Sequence, residues 1–203
     1  MQCYTIGHSN RSIEEFIELL SKHAVNCVVD ARSMPYSKYA IQFNKDTIKN
    51  FLESNKIHYI FMGNEIGAKT EDKKFLTNGK VDFNKLKEKE EFKNGIDRII
   101  EGLDKKYNIA IMCSEKNPVD CHRFSLISKA LKAKGISVKH IISQNELKTQ
   151  EELEDEIVKN VEKNQLSIFG ESESIDYAYE KIAGKIGYKV GEKKQPEEIK
   201  INY

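Results

Sequence analysis

Between residues 2 and 142, short apolar runs alternate with segments whose apolar residues recur every three or four positions. That change of period limits the fold more than any other feature of the chain. Gln2–Ile6, Val25–Val29, Ile57–Phe61, Asn108–Met112 and Ile136–Ile142 have the length and content of strands. Between them, Ser12-Ile-Glu-Glu15 has the capping-box pattern, and Ile13, Phe16, Ile17 and Leu20 then share one helical face. Asp46 is expected to cap a helix carrying Ile48, Phe51 and Leu52. A long helix over residues 84–105 presents Phe92, Ile96, Ile99 and Leu103, and Phe124–Lys134 is helical with Gly135 as its stop. Alternation of this kind predicts an α/β fold: a mostly parallel, doubly wound, Rossmann-like sheet of about five strands with helices on both faces. Residues 62–82 form a long polar connection with Gly63, Gly67 and Gly79, a length often tied to function.

The character changes near residue 148. Thr149-Gln-Glu-Glu152 opens a charged helix, Gln-Leu-Ser-Ile-Phe-Gly at 165–170 interrupts it, and a Lys/Glu-rich tail follows a short helix near Ile175–Ile186. The division expected is an α/β core over 1–147 and a helical, charged extension over 148–203. A chain of 203 residues with 39% hydrophobic residues can build a core without disulfides or a structural metal. With 33 basic and 32 acidic residues the formal charge is +1, so binding to nucleic acid would need a local basic patch. Cys3 and Cys27 lie in apolar runs, and Cys113 and Cys121 fit no extracellular disulfide framework. The start Met-Gln-Cys-Tyr-Thr-Ile lacks the basic and long apolar regions of a signal peptide, and no apolar run reaches membrane-spanning length. A cytoplasmic protein is expected, without membrane partners.

Ligands of open parallel sheets bind beyond the carboxyl ends of the strands, and polar residues gather after four of these five runs. They are Gly7-His8-Ser9-Asn10, Asp30-Ala31-Arg32-Ser33, Gly63-Asn64-Glu65 and Cys113-Ser114-Glu115 through Cys121-His122-Arg123. The last cluster is not a cysteine phosphate loop. Such a loop needs an arginine six residues after its cysteine, and Val119 stands there. A zinc site from Cys113, Cys121 and His122 with His8 is a lesser alternative; no C-x-x-C pair anchors it. An anion site fits better, because Cys121-His122-Arg123 opens a helix and Arg123 adds a bidentate grip. The helix field would also lower the Cys121 pKa. On this reading Ser9, Arg32, His122 and Arg123 bind the anion, His8 and Glu115 exchange protons, Asp30 orients a partner, and Cys113 or Cys121 is a candidate nucleophile. His23, His58 and His140 read as structural or exposed.

Taken together, Thr5-Ile-Gly-His-Ser9, Val29-Asp-Ala-Arg32, Pro35-Tyr-Ser37 with Phe43, and Cys113-Ser-Glu115 through Cys121-His122-Arg123 resemble the domain-of-unknown-function 488 family. The resemblance runs over roughly residues 3 to 145. It implies an α/β domain of bacterial or archaeal type and brings no settled activity. Two departures stand out: Ile66-Gly67-Ala68-Lys69 replaces a usual Leu-Gly-Gly-Arg, and Lys38 stands where arginine is common. In the extension, Gln165-Leu-Ser-Ile-Phe169 is similar to the peptide with which bacterial replication and repair proteins dock on the sliding clamp. That similarity implies Gln165, Leu166 and Phe169 as partner-binding residues. The expected function is an enzyme acting on a phosphate-bearing substrate, a nucleotide or nucleic acid, without a cofactor. The alternative is a non-catalytic nucleic-acid accessory module recruited to the clamp.

Overall fold

In chain order the computed structural model has β1 (Gln2–Gly7), α1 (Ile13–Lys22), β2 (Cys27–Asp30), α2 (Lys45–Ser54), β3 (His58–Phe61) and the single-turn α3 (Gly63–Ile66). A short hairpin follows, β4 (Leu76–Thr77) and β5 (Lys80–Val81), then α4 (Phe83–Leu86), α5 (Glu90–Asp104) and β6 (Ile109–Cys113). The chain continues with α6 (Lys129–Ala133), β7 (Ser137–Ser143), β8 (Glu146–Thr149), α7 (Gln150–Asn164) and α8 (Glu171–Ile186). The structure describes residues 1–164 and 171–190; residues 165–169, the candidate docking peptide, lie outside the described residues.

Six strands form the main sheet in the order β3-β2-β6-β1-β7-β8. The first five run parallel, and β8 closes the edge antiparallel to β7. The α/β class and the mostly parallel sheet are as expected; β8 and the β4–β5 hairpin are additions. The hairpin turns on Asn78-Gly79, both at positive φ, the pair that a two-residue hairpin loop favours.

Alternate strand residues feed two cores. Cys27, Val29, Ile109, Ile111 and Val138 pack with Phe92, Ile96, Ile99 and Leu103 of α5 and Leu131 of α6. Ile6, Val28, Ala110, Met112 and Ile141 pack with Phe16, Leu19 and Leu20 of α1 and Ile48 and Leu52 of α2. Helices of successive connections thus cover both faces, and the apolar spacing that defined them in sequence is the face they bury.

Local signals explain the helix ends, with two corrections. Glu15 N–H donates to Ser12 Oγ at 3.1 Å, and Thr149 and Glu152 cap α7 reciprocally. Asp46, however, lies inside the first turn of α2, and Asn44 holds the cap position. The Asn44 side chain is occupied elsewhere, accepting from Ser37 N–H at 2.7 Å. The helix expected over 84–105 is also broken. Asp82 caps α4, Lys89 is extended, and α5 starts afresh at Glu90.

The C-terminal helices pack on the core through Phe124, which joins Leu153, Ile157, Ala178 and Tyr179 in a third cluster. Beneath them runs a buried polar chain. Tyr179 Oη donates to Glu154 at 2.6 Å, Gln150 Nε2 donates to Tyr179 Oη at 2.6 Å, and His140 Nε2 donates to Gln150 Oε1 at 2.9 Å. Thr5 then meets His140 Nδ1 at 2.7 Å. Among the described residues no helix is long and apolar enough to cross a membrane.

Candidate functional site

The strand order sets β6 between β1 and β2, so the loops that follow all three meet at one end of the sheet. β1 and β6 continue their pairing into those loops: His8 N–H donates to Cys113 O at 2.9 Å and Ser9 N–H to Ser114 O at 2.8 Å. The approach is close enough to require glycine. A Cβ on Gly7 would stand 1.8 Å from the Glu115 carbonyl oxygen. Ser9, at φ 50°, is a non-glycine residue in the left-handed region at this same junction.

On the α1–α2 side sits a charged cluster. Asp30 is fully buried and accepts from Arg32 N–H at 3.1 Å, Arg32 Nε at 2.9 Å, Arg32 Nη2 at 2.6 Å and Tyr59 Oη at 2.6 Å. The remaining terminal nitrogen, Arg32 Nη1, donates to His8 Nε2 at 3.1 Å, while His8 Nδ1–H donates to Ser9 O at 2.8 Å. The His8 ring stacks on Phe43 with centroids 4.3 Å apart. Burial first, and then the Arg32 charge, push His8 down to about 4, so the imidazole is neutral at physiological pH.

On the α5–α6 side sits a sulfur cluster. Cys113 and Cys121 are buried, and both ring nitrogens of the partly buried His122 lie 3.9 Å from Cys113 Sγ. His122 Nδ1 is also 3.8 Å from Cys121 Sγ, and His122 Nε2 donates to Ala31 O at 3.2 Å. Burial alone would raise the Cys121 thiol. A hydrogen bond from Cys113, then Arg123 and His122, outweigh it and hold Cys121 well below the ordinary thiol range. Cys113 moves the other way, raised first by burial and then by its bond to Cys121. Glu115 is exposed as a residue, yet partial burial of its carboxyl first, and then the Cys121 charge, push it up to about 7.

Arg123 does not face outward as an anion grip. It is buried, with Nη1 donating to Glu115 O at 2.6 Å and Nη2 to Lys116 O at 2.9 Å. Its Nε finds no hydrogen-bond partner among the described residues. The helix entered at His122 is also unlike the one expected, because Arg123–Ser128 is a π-helical turn before α6 begins. Its first amide, Arg123 N–H, donates to Cys121 Sγ at 3.4 Å, so this helix start serves the sulfur already in the site. Ser9 Oγ turns to Asn10 at 3.3 Å.

Apart from Ser9 and Arg123, the candidate residues therefore fall into two groups. His8, Asp30 and Arg32 form one, and Cys113, Cys121, His122 and Glu115 form the other, with Ala31 between them. His8 stands apart from the sulfur ligands with both ring nitrogens engaged, so it is not the fourth member of a zinc set. Sequence reading missed Tyr59 and Phe43 as parts of the first group, and the Ala31 carbonyl as part of the second. It also missed the buried Arg11, whose Nη1 donates to Gly7 O at 2.5 Å and whose Nη2 reaches Ile142 O, tying β1 to β7 at this edge.

The edge is rimmed by the loop after β2. Met34, Tyr36, Tyr39 and Ile41 are exposed there, and Lys38 lies over the Tyr39 ring at 5.0 Å. Lys45 covers the Phe61 ring at 4.2 Å, and Lys69 covers Tyr188 at 5.2 Å. Residues 32–45 contain no carboxylate side chain.

A family model described as Domain of unknown function DUF488 matches residues 12–130. No curated protein and no solved structure matches the chain.

Proposed function

Because the chain belongs to the DUF488 family, a description that assigns no activity, we propose its function from the site: an enzyme acting on a phosphate-bearing substrate, a nucleotide or nucleic acid. The observation that carries this reading is the meeting of the Asp30–Arg32–His8 cluster with the Cys113–Cys121–His122–Glu115 cluster at the carboxyl ends of β1, β2 and β6. Burying charged and sulfur side chains side by side costs stability, and proteins accept that cost chiefly at sites of chemistry. We read the sheet as doubly wound, with the crevice beside β6, where the connections after β2 and β6 leave on opposite faces.

Division of labour follows from placement. The sulfur–imidazole cluster is the reactive centre, and Glu115, beside Cys121, moves the proton. Asp30, Arg32 and neutral His8, fully paired among themselves, hold the loops after β1 and β2 in place around that centre. The rim of exposed tyrosines and lysines has the composition of a surface on which bases stack and phosphates pair. Near-neutral overall charge fits a local patch of this kind rather than a protein drawn to nucleic acid as a whole.

Two measurements test this together: turnover of a panel of nucleotides and oligonucleotides, and fluorescence anisotropy with labelled single-stranded DNA and RNA. Cys121→Ser should abolish turnover while binding persists. Lys38→Glu combined with Tyr39→Ala should weaken oligonucleotide binding about tenfold or more, the loss of ~1–3 kcal/mol that one stacked base carries. Absence of both turnover and binding across the panel, or equal binding by the rim variant, would sink the proposal.

A further inference from the structure

Three side chains in this edge bring their donor atoms together. The donor atoms of Cys113, Cys121 and His122 all lie within 4.8 Å of one another. The closest separations are 3.9 Å between Cys113 Sγ and the His122 ring nitrogens and 3.8 Å between Cys121 Sγ and His122 Nδ1. Metal bonds of about 2.0–2.3 Å at tetrahedral angles put ligand atoms ~3.5–3.8 Å apart, so the nitrogen–sulfur edges need to close by a few tenths of an ångström and the sulfur–sulfur edge, within 4.8 Å, by no more than about 1 Å. The three atoms outline a slightly expanded face of a tetrahedron.

The surroundings match what a ligand histidine requires. Its second nitrogen, Nε2, donates to the Ala31 carbonyl at 3.2 Å. That bond places the proton on Nε2 and leaves Nδ1 unprotonated, 3.8 Å from Cys121 Sγ, as outer partners of metal-bound histidines do. Ala31 is itself locked, with its N–H donating to Met112 O at 3.0 Å. Cys113 is fixed as the last residue of β6, and Cys121 by Arg123 N–H at 3.4 Å and by the turn over Pro118–Asp120. The ligand set thus comes from rigid elements, with a backbone carbonyl from the neighbouring strand as orienter.

We propose that Cys113, Cys121 and His122 bind one zinc-like divalent ion per chain through two thiolates and one imidazole. Two sulfurs and a nitrogen in this shape favour zinc over the hard cations calcium and magnesium. Three protein ligands leave a fourth position for water or substrate, the arrangement of catalytic rather than structural zinc. Metal binding stands on the three ligands alone. Only its catalytic consequence rests on the function proposed above.

The test uses the full chain, reduced and freed of metal by chelation, then titrated with Zn(II) against a chromophoric competitor and, separately, with Co(II). One equivalent should bind, and the Co(II) form should show the intense ligand-field bands of a tetrahedral site with thiolate-to-cobalt charge transfer. Cys113→Ser, Cys121→Ser and His122→Gln should each weaken binding by more than the about 10–100-fold that outer partners command. His8→Gln and Cys3→Ala should bind as the wild type does. Octahedral cobalt spectra, no thiolate charge transfer, or unchanged affinity in Cys121→Ser would overturn the site, and the wild-type spectrum decides the matter even if a variant fails to fold. The two proposals fail separately. Metal bound without turnover removes the enzyme, and turnover by metal-free protein removes the metal's catalytic role while leaving the site.

Discussion

At the scale of single residues, the Asp30 carboxylate is the most exacting group in the molecule. It is wholly buried, and its stability depends on Arg32 and Tyr59 together. Removing one partner of a buried pair leaves an uncompensated charge, so Asp30→Ala should cost ~3–5 kcal/mol. Tyr59→Phe, which deletes one hydrogen bond to a charged group, should cost ~1.5–3 kcal/mol. Urea denaturation checks both, and an Asp30→Ala midpoint equal to that of the wild type would contradict the pairing. Burial first, then the Asp30 charge, raise the Tyr59 phenol above its ordinary range, so it stays protonated and donates to Asp30. Asp30 and Arg32 were legible because they follow an apolar run, where charge needs a reason. Tyr59 was not, since a tyrosine within a strand run reads as packing.

At the scale of elements, the contact between the ends of β1 and β6 decides whether the site assembles. In Gly7→Ala the added Cβ meets backbone, the Glu115 carbonyl, which cannot swing aside as a side chain can. A loss of ~1–3 kcal/mol is expected, the range for overpacking a filled position. Gly184→Ala in α8 should instead gain about 0.5–1 kcal/mol, since a Cβ there meets nothing within 4 Å. Thermal melts of the pair separate steric from propensity effects; similar shifts in both would refute the close approach. The five parallel strands were readable from their apolar runs, almost to their limits. β8 was not, because Glu-Leu-Lys-Thr is a polar edge strand stabilised by pairing with β7 rather than by its own pattern. The π-helical turn has no sequence signature, and Arg123, its first residue, donates to the Glu115 and Lys116 carbonyls. Sequence spacing brought Cys113, Cys121 and His122 into view together. The carbonyl that orients His122 belongs to another strand and has no side-chain signature to read.

At the scale of the whole molecule, two buried histidines make stability fall with acid. Burial, then Arg32, lowers His8 to about 4, and burial lowers His140 to about 4 despite its bond to Gln150. Both are neutral in the fold, while the unfolded chain protonates them near pH 6.5. The unfolded state therefore binds more protons below that pH. Stability should decline from about pH 6.5 to about 4, with a slope of up to ~1.4 kcal/mol per pH unit from each histidine. Urea midpoints at pH 7, 5.5 and 4.5 check this, and His140→Gln should flatten its share of the slope. A wild-type midpoint unchanged between pH 7 and 4.5 would refute it. The strand order has a further consequence, for the moment of synthesis. β1 and β2 do not touch each other, and each is bonded to β6, which leaves the ribosome last of the three. A nascent chain that stops short of Ile109 lacks the strand that joins the two halves of the sheet, so the edge where the two side-chain clusters meet comes into being in one late event. Half-made protein therefore carries none of Cys113, Cys121 and His122.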